Sequence, residues 1–83
     1  MMKMYTTTWC TDCMAVKRIL IKKGILFEEI DIEKDETAAD HVMRINGGKR
    51  SVPTIVCGDE VVGLSPVSRE RLEGFLSRCG FTP

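Results

Sequence analysis

Cys10-Thr11-Asp12-Cys13 places two thiols one helical turn apart, where a short apolar run gives way to helical spacing. A sulfur at a helix start faces unsatisfied backbone N–H groups and the positive end of the helix dipole. Both favour the anionic sulfur, which is the reactive form. A second thiol one turn later can displace whatever the first captures, closing a disulfide between the two. The dipole alone supplies only about 0.3–1 kcal/mol, so hydrogen bonds from the Thr11–Cys13 region and a nearby cation are needed as well. Asp12 suits the helix start but opposes a second anion at Cys10. The chemistry on offer is dithiol–disulfide exchange, with Cys10 as nucleophile and Cys13 as resolving thiol.

The elements that must position these thiols are legible in the apolar pattern. Met2 to Thr6 reads as a first strand, and Val16, Ile19 and Leu20 continue a helix from Cys13 that Gly24 stops. Phe27 to Ile32 mixes β-formers with acids and reads as a second strand. Asp35 is placed to cap a second helix, with Ala38, Ala39, Val42, Met43 and Ile45 on its apolar side and Asn46-Gly47-Gly48 at its end. Thr54 to Cys57 is a third strand, turned by Gly58-Asp59 into a fourth, Glu60 to Val62. Ser65 is expected to cap the last helix with Pro66 in its first position, and Leu72, Phe75, Leu76 and Cys79 form its inner stripe.

The remaining composition narrows the function. With 83 residues, the chain is expected to be one domain spanning 1–83. A formal net charge of zero argues against nucleic acid or an anionic membrane as partner. No stretch has the length of a transmembrane helix, and Met1-Met2-Lys3-Met4-Tyr5 offers no signal peptide. Strong periodicity without a leader makes the four cysteines a poor secreted scaffold, so a cytoplasmic location is expected. Cys57 and Cys79 read as small buried hydrophobes. His41 reads as a surface residue of the second helix. Trp9 reads as a cover over the dithiol with an apolar face for substrate.

In element order and in three segments the chain resembles the glutaredoxins, minimal members of the thioredoxin fold. The segments are Tyr5-Thr6-Thr7-Thr8-Trp9-Cys10-Thr11-Asp12-Cys13, Ser51-Val52-Pro53-Thr54 and Gly63-Leu64-Ser65-Pro66. Trp9 together with the run from Asn46 to Pro53, and the Ser65-Pro66 pair, is more similar to the mycoredoxin-like bacterial branch than to members with Cys-Pro-Tyr-Cys. The resemblance implies an α/β, thioredoxin-like (glutaredoxin) fold. Its four-stranded mixed sheet and three helices run strand, helix, strand, helix, strand, strand, helix. It implies a thiol–disulfide oxidoreductase that reduces protein disulfides, or mixed disulfides with a small thiol, through a redox-active Cys10–Cys13 pair.

The resemblance also implies a substrate site. Pro53 would be cis and face the dithiol, and Val52 would offer backbone groups to a bound peptide or glutathione. Trp9, Thr11, Asp12, Arg50, Leu64 and Ser65 would complete it. No cofactor is stored and no metal is expected. Glutathione or another low-molecular-weight thiol would be the co-substrate, and a small thiol or a flavoprotein reductase would recycle a monomer. The family's usual lysine before the motif is Thr7 here, the second glycine is Leu64 and the acid is Pro66. Lys49, Arg50 and Ser65 remain as anchors for the carboxylates of a small thiol. The alternatives are a thioredoxin-like electron donor served by a flavoprotein reductase and, from another class, a metal or iron–sulfur module using Cys10.

Overall fold

Apolar residues at alternate positions make Met2–Thr6 the first strand, β1, in a computed structural model that describes residues 2–81. Met1, Thr82 and Pro83, part of the expected 1–83 domain, lie outside the described residues. The chain continues as α1 (Thr11–Lys22), β2 (Phe27–Asp31), α2 (Glu36–Ile45), β3 (Thr54–Cys57), β4 (Glu60–Gly63) and α3 (Arg69–Arg78). The strands form one sheet in the order β2-β1-β3-β4. β1 runs parallel to β2 and antiparallel to β3, and β3 pairs antiparallel with β4. This is the thioredoxin-like glutaredoxin fold the sequence led us to expect.

Each helix ends for a local reason. α1 closes with Gly24 at φ 73°, where Gly24 N–H donates to Ile21 O and Ile25 N–H to Leu20 O, both at 3.0 Å. That pair of bonds satisfies the last carbonyls, and only glycine takes the left-handed backbone without cost. α2 starts at Asp35, whose Oδ1 accepts from Ala38 N–H at 3.2 Å and from the Thr37 hydroxyl at 2.7 Å. These bonds hold the Asp35 carboxyl below its usual range, the Thr37 hydroxyl contributing most.

The last helix departs from expectation. Its N-cap is Ser68, whose hydroxyl accepts from Arg71 N–H at 3.2 Å, not Ser65. Pro66 is therefore not a helical residue; it follows a cis Ser65–Pro66 bond in the irregular stretch before α3. Two serines offered the same signal. Ser68 has an acid, Glu70, in the turn that follows and stands in register with Leu72, Phe75 and Leu76.

Strand alternation sorts the helices onto two faces. Tyr5 packs its ring 5.7 Å from that of His41 on α2. Met4, pointing the other way, is in register with Glu29, which pairs with Lys17 of α1 at 2.8 Å. Lys23, following α1, in turn pairs with Glu73 of α3 at 3.1 Å. So α1 and α3 cover one face and α2 the other. Met4, Val16, Leu20, Ile55, Leu72 and Phe75 are fully excluded from solvent and fill the space between. The ion pairs are only partly buried and add little; the buried apolar surface carries the fold. Among the described residues no helix is long and apolar enough to cross a membrane.

Candidate active site

Because β1 and β2 are parallel, the loops that follow them emerge at the same end of the sheet. The first of these loops carries the dithiol. Cys10 is not in the first turn of α1 but at its N-cap, with extended backbone (φ −84°, ψ 112°). Its Sγ occupies the place a serine or aspartate oxygen usually takes and accepts from Cys13 N–H at 3.0 Å. An anionic sulfur accepts such a bond more strongly than a neutral one. As a thiol, the same sulfur donates to Val52 O at 3.8 Å. The hydrogen bond expected from the Thr11–Cys13 backbone is thus present.

Cys13 lies deeper, 2% exposed against 6% for Cys10. Burial, followed by the neighbouring Cys10 thiol, pushes the Cys13 thiol up to about 11, while Thr6 and the Thr7 backbone pull more weakly the other way. Cys13 therefore keeps its proton at neutral pH. Part of that elevation comes from Cys10, so it is relieved once Cys10 is tied up in a mixed disulfide.

The elevation has a consequence for stability. Unfolded thiols shed protons around the ordinary value of 9.0, whereas native Cys13 holds its proton to about 11. Between those values the unfolded state binds fewer protons, so stability is fully present below pH 9.0 and falls as pH rises towards 11. Urea midpoints of the reduced protein at pH 8 to 11 should fall across that window, with a shallower decline in Cys13→Ala. A flat profile in the wild type rules the linkage out.

Cys10 opens onto a cavity of about 310 Å³. It is lined by Trp9, Thr11 and Asp12 from the dithiol segment and by Arg50, Ser51, Val52 and Ser65 from the loops flanking β3 and β4. Arg50 supplies a cation to the cavity where Cys10 lies. The Val52–Pro53 peptide bond is cis, as the resemblance implied, and Pro53 is buried beside the cavity without lining it. Trp9 is 68% exposed, and its Nε1–H donates to Glu33 Oε1 at 2.9 Å. The ring is thus fixed at one edge and free over its face. A larger hollow of about 920 Å³, between the end of α1 and α3, contains no cysteine.

The glutaredoxin family profile matches residues 2–62. The chain belongs to the glutaredoxin family. A glutaredoxin-named protein of Mycobacterium tuberculosis is 39% identical over 66 residues, covering 80% of this chain and 79% of its own. Mycoredoxin 1 of Corynebacterium glutamicum is 33% identical over 66 residues, covering 80% and 81%. The crystal structure of a glutaredoxin from Archaeoglobus fulgidus superposes with a TM-score of 0.77 at 30% identity, over 90% of this chain and 84% of that one. This glutaredoxin is accordingly a thiol–disulfide oxidoreductase, and its family uses glutathione-type thiols.

Of the substrate residues expected for this glutaredoxin, Trp9, Thr11, Asp12, Arg50, Val52 and Ser65 do meet around the cavity. Leu64 does not. Its side chain is fully buried and its N–H donates to Pro53 O at 2.9 Å, so neither is open to a ligand. Inward alternation from Val62 carries Leu64 into the core, a signal present in the sequence. Two residues were missed. Ser51 sits between two expected ones on the cavity wall. Glu33 follows β2, and parallel pairing with β1 brings it to Trp9. Among the described residues no group of three or more His, Cys, Asp or Glu side chains is placed to hold a metal ion.

Proposed function

We propose that Cys10 is the nucleophile of a dithiol cycle whose substrates are protein disulfides and mixed disulfides between a protein and a small thiol. Cys10 thiolate attacks one sulfur of the substrate disulfide; the other leaves as a thiolate and takes a proton from solvent. Cys13 then gives up its proton and attacks the Cys10 sulfur, releasing the second substrate thiol and leaving a Cys10–Cys13 disulfide. Two equivalents of a low-molecular-weight thiol return the pair to the dithiol and leave as the oxidised small disulfide. The observation that carries this reading is the position of the Cys10 sulfur: it caps α1 at 3.0 Å from Cys13 N–H and opens onto the cavity, with Cys13 buried behind it.

Arg50 supports a small thiol bearing a carboxylate. It is exposed and lines the cavity together with Trp9, Ser51 and Ser65. A charge-assisted hydrogen bond is worth about 1.5–3 kcal/mol, or roughly 10- to 100-fold in binding. Arg50→Gln should raise KM for a glutathione mixed disulfide by at least about 10-fold at little change in kcat. It should leave turnover of a cysteamine mixed disulfide, which has no carboxylate, unaltered. Equal losses on both substrates would remove Arg50 from carboxylate binding. Recycling is tested by reducing the oxidised protein with glutathione plus its reductase, in parallel with thioredoxin reductase. Turnover by the thiol arm supports the proposal, and turnover by the flavoprotein arm alone favours the thioredoxin-like alternative.

A further inference from the structure

Cys57 and Cys79, expected as small buried hydrophobes, are only half-buried, and a contact between Arg78 and Glu60 brings the ends of their two elements together. Both stand at element ends, Cys57 as the last residue of β3 and Cys79 as the C-cap of α3, which is why neither is fully enclosed. The geometry around them is fixed twice over. Cys57 pairs directly with Glu60 across the β3–β4 turn, so the two side chains share a face of the sheet. Glu60 Oε1 in turn accepts from Arg78 Nε at 2.7 Å, and Arg78 precedes Cys79. The contact therefore places the end of α3 beside the strand pair that presents Cys57. A cysteine used only as a small hydrophobe is usually enclosed and unpaired.

These thiols are remote from the dithiol. Thr54 begins β3 next to the cis Pro53, and Cys57 ends it, about 10 Å further along the strand. Exchange at one pair can proceed without contact with the other.

We propose that Cys57 and Cys79 form a second thiol–disulfide site, oxidised by low-molecular-weight disulfides, which ties the end of α3 to β3. Cys57 thiolate attacks the small disulfide and forms a mixed disulfide, and the displaced small thiolate is protonated by solvent. Cys79 loses its proton to solvent and attacks the Cys57 sulfur, expelling the second small thiol. The protein gives up two electrons and two protons, and the small disulfide becomes two thiols. Cys57 is the point of entry because burial, then the adjacent Cys57 sulfur, pushes the Cys79 thiol up to about 12. Once Cys57 is in a mixed disulfide, that second cause is gone.

The test uses the full chain carrying Cys10→Ser and Cys13→Ser, so that its failure is separable from failure of the dithiol cycle. The reduced protein is treated with 2-hydroxyethyl disulfide and mapped by mass spectrometry after alkylation and non-reducing digestion. The expected result is a mass lower by about 2 Da, no alkylatable thiol and a linked pair of peptides containing Cys57 and Cys79. Adding Cys79→Ser should leave one hydroxyethylthio adduct, on Cys57. Mapping the wild-type chain in the same way guards against a folding defect in the variant, and the same linked pair is expected there. Two adducts on one chain, two unreacted thiols, or an adduct-free Cys57 in the Cys79→Ser protein would overturn the proposal.

Discussion

Cys13→Ser should turn the protein into a trap. Cys10 still caps α1 and still opens onto the cavity, so the first attack proceeds. The side chain that would displace the captured group is now a hydroxyl, so the mixed disulfide persists until an external thiol removes it. Intact mass spectrometry after exposure to a disulfide-bearing protein should show substrate attached at Cys10 in nearly every molecule. Cys10→Ser should show none, and its rate of disulfide reduction should drop by at least about 10³-fold, as when other enzymes lose their nucleophile. Neither substitution alters much volume, so both proteins should keep their far-UV spectra. Capture at Cys13 in the Cys10→Ser protein would reverse the assignment of the two thiols. The burial of Cys13 behind Cys10 argues against that outcome.

Phe75→Ala should be the most damaging single change to the fold. Phe75 is fully buried at the centre of α3, among the apolar residues that join this helix to the sheet. Removing such a ring costs about 3–5 kcal/mol, the lost transfer energy and the cavity combined. Stability of about 0.05–0.15 kcal/mol per residue gives roughly 4–12 kcal/mol for the 83 residues, so the change consumes a large part of it. The urea midpoint should fall by about 2 M or more at an unchanged slope. Ser77→Ala, exposed on the same helix, should stay within about 0.5 kcal/mol of wild type. If Phe75→Ala behaves like Ser77→Ala, α3 is not part of the core as described.

The elements up to β4 follow from local signals: alternation in β1, the Gly24 stop of α1, the Asp35 cap and the Gly58-Asp59 turn all act over a few residues. The start of α3 was misplaced because Ser65 and Ser68 carry the same capping chemistry. What decides between them is which hydroxyl meets a helical N–H, and that depends on how Leu72 and Phe75 dock. Cys10, Cys13 and most of the cavity wall were legible because a short motif carries its own geometry. Leu64 was assigned by its place in the family pattern, although the strand period from Val62 already pointed it inward. Glu33 on Trp9, and Arg78 on Glu60 beside the ends of α3 and β3 that carry Cys79 and Cys57, join residues distant in sequence. Only the strand order and the docking of α3 create those meetings.

Trp9 is the sole tryptophan of the chain and the immediate neighbour of Cys10. Its indole is tethered at Nε1 and otherwise bathed in water. The molecule thus carries an intrinsic fluorophore on the residue next to the sulfur proposed as nucleophile. Emission intensity should report whether that sulfur is free or bonded, so stopped-flow traces of the unlabelled wild type should resolve capture and release as separate phases.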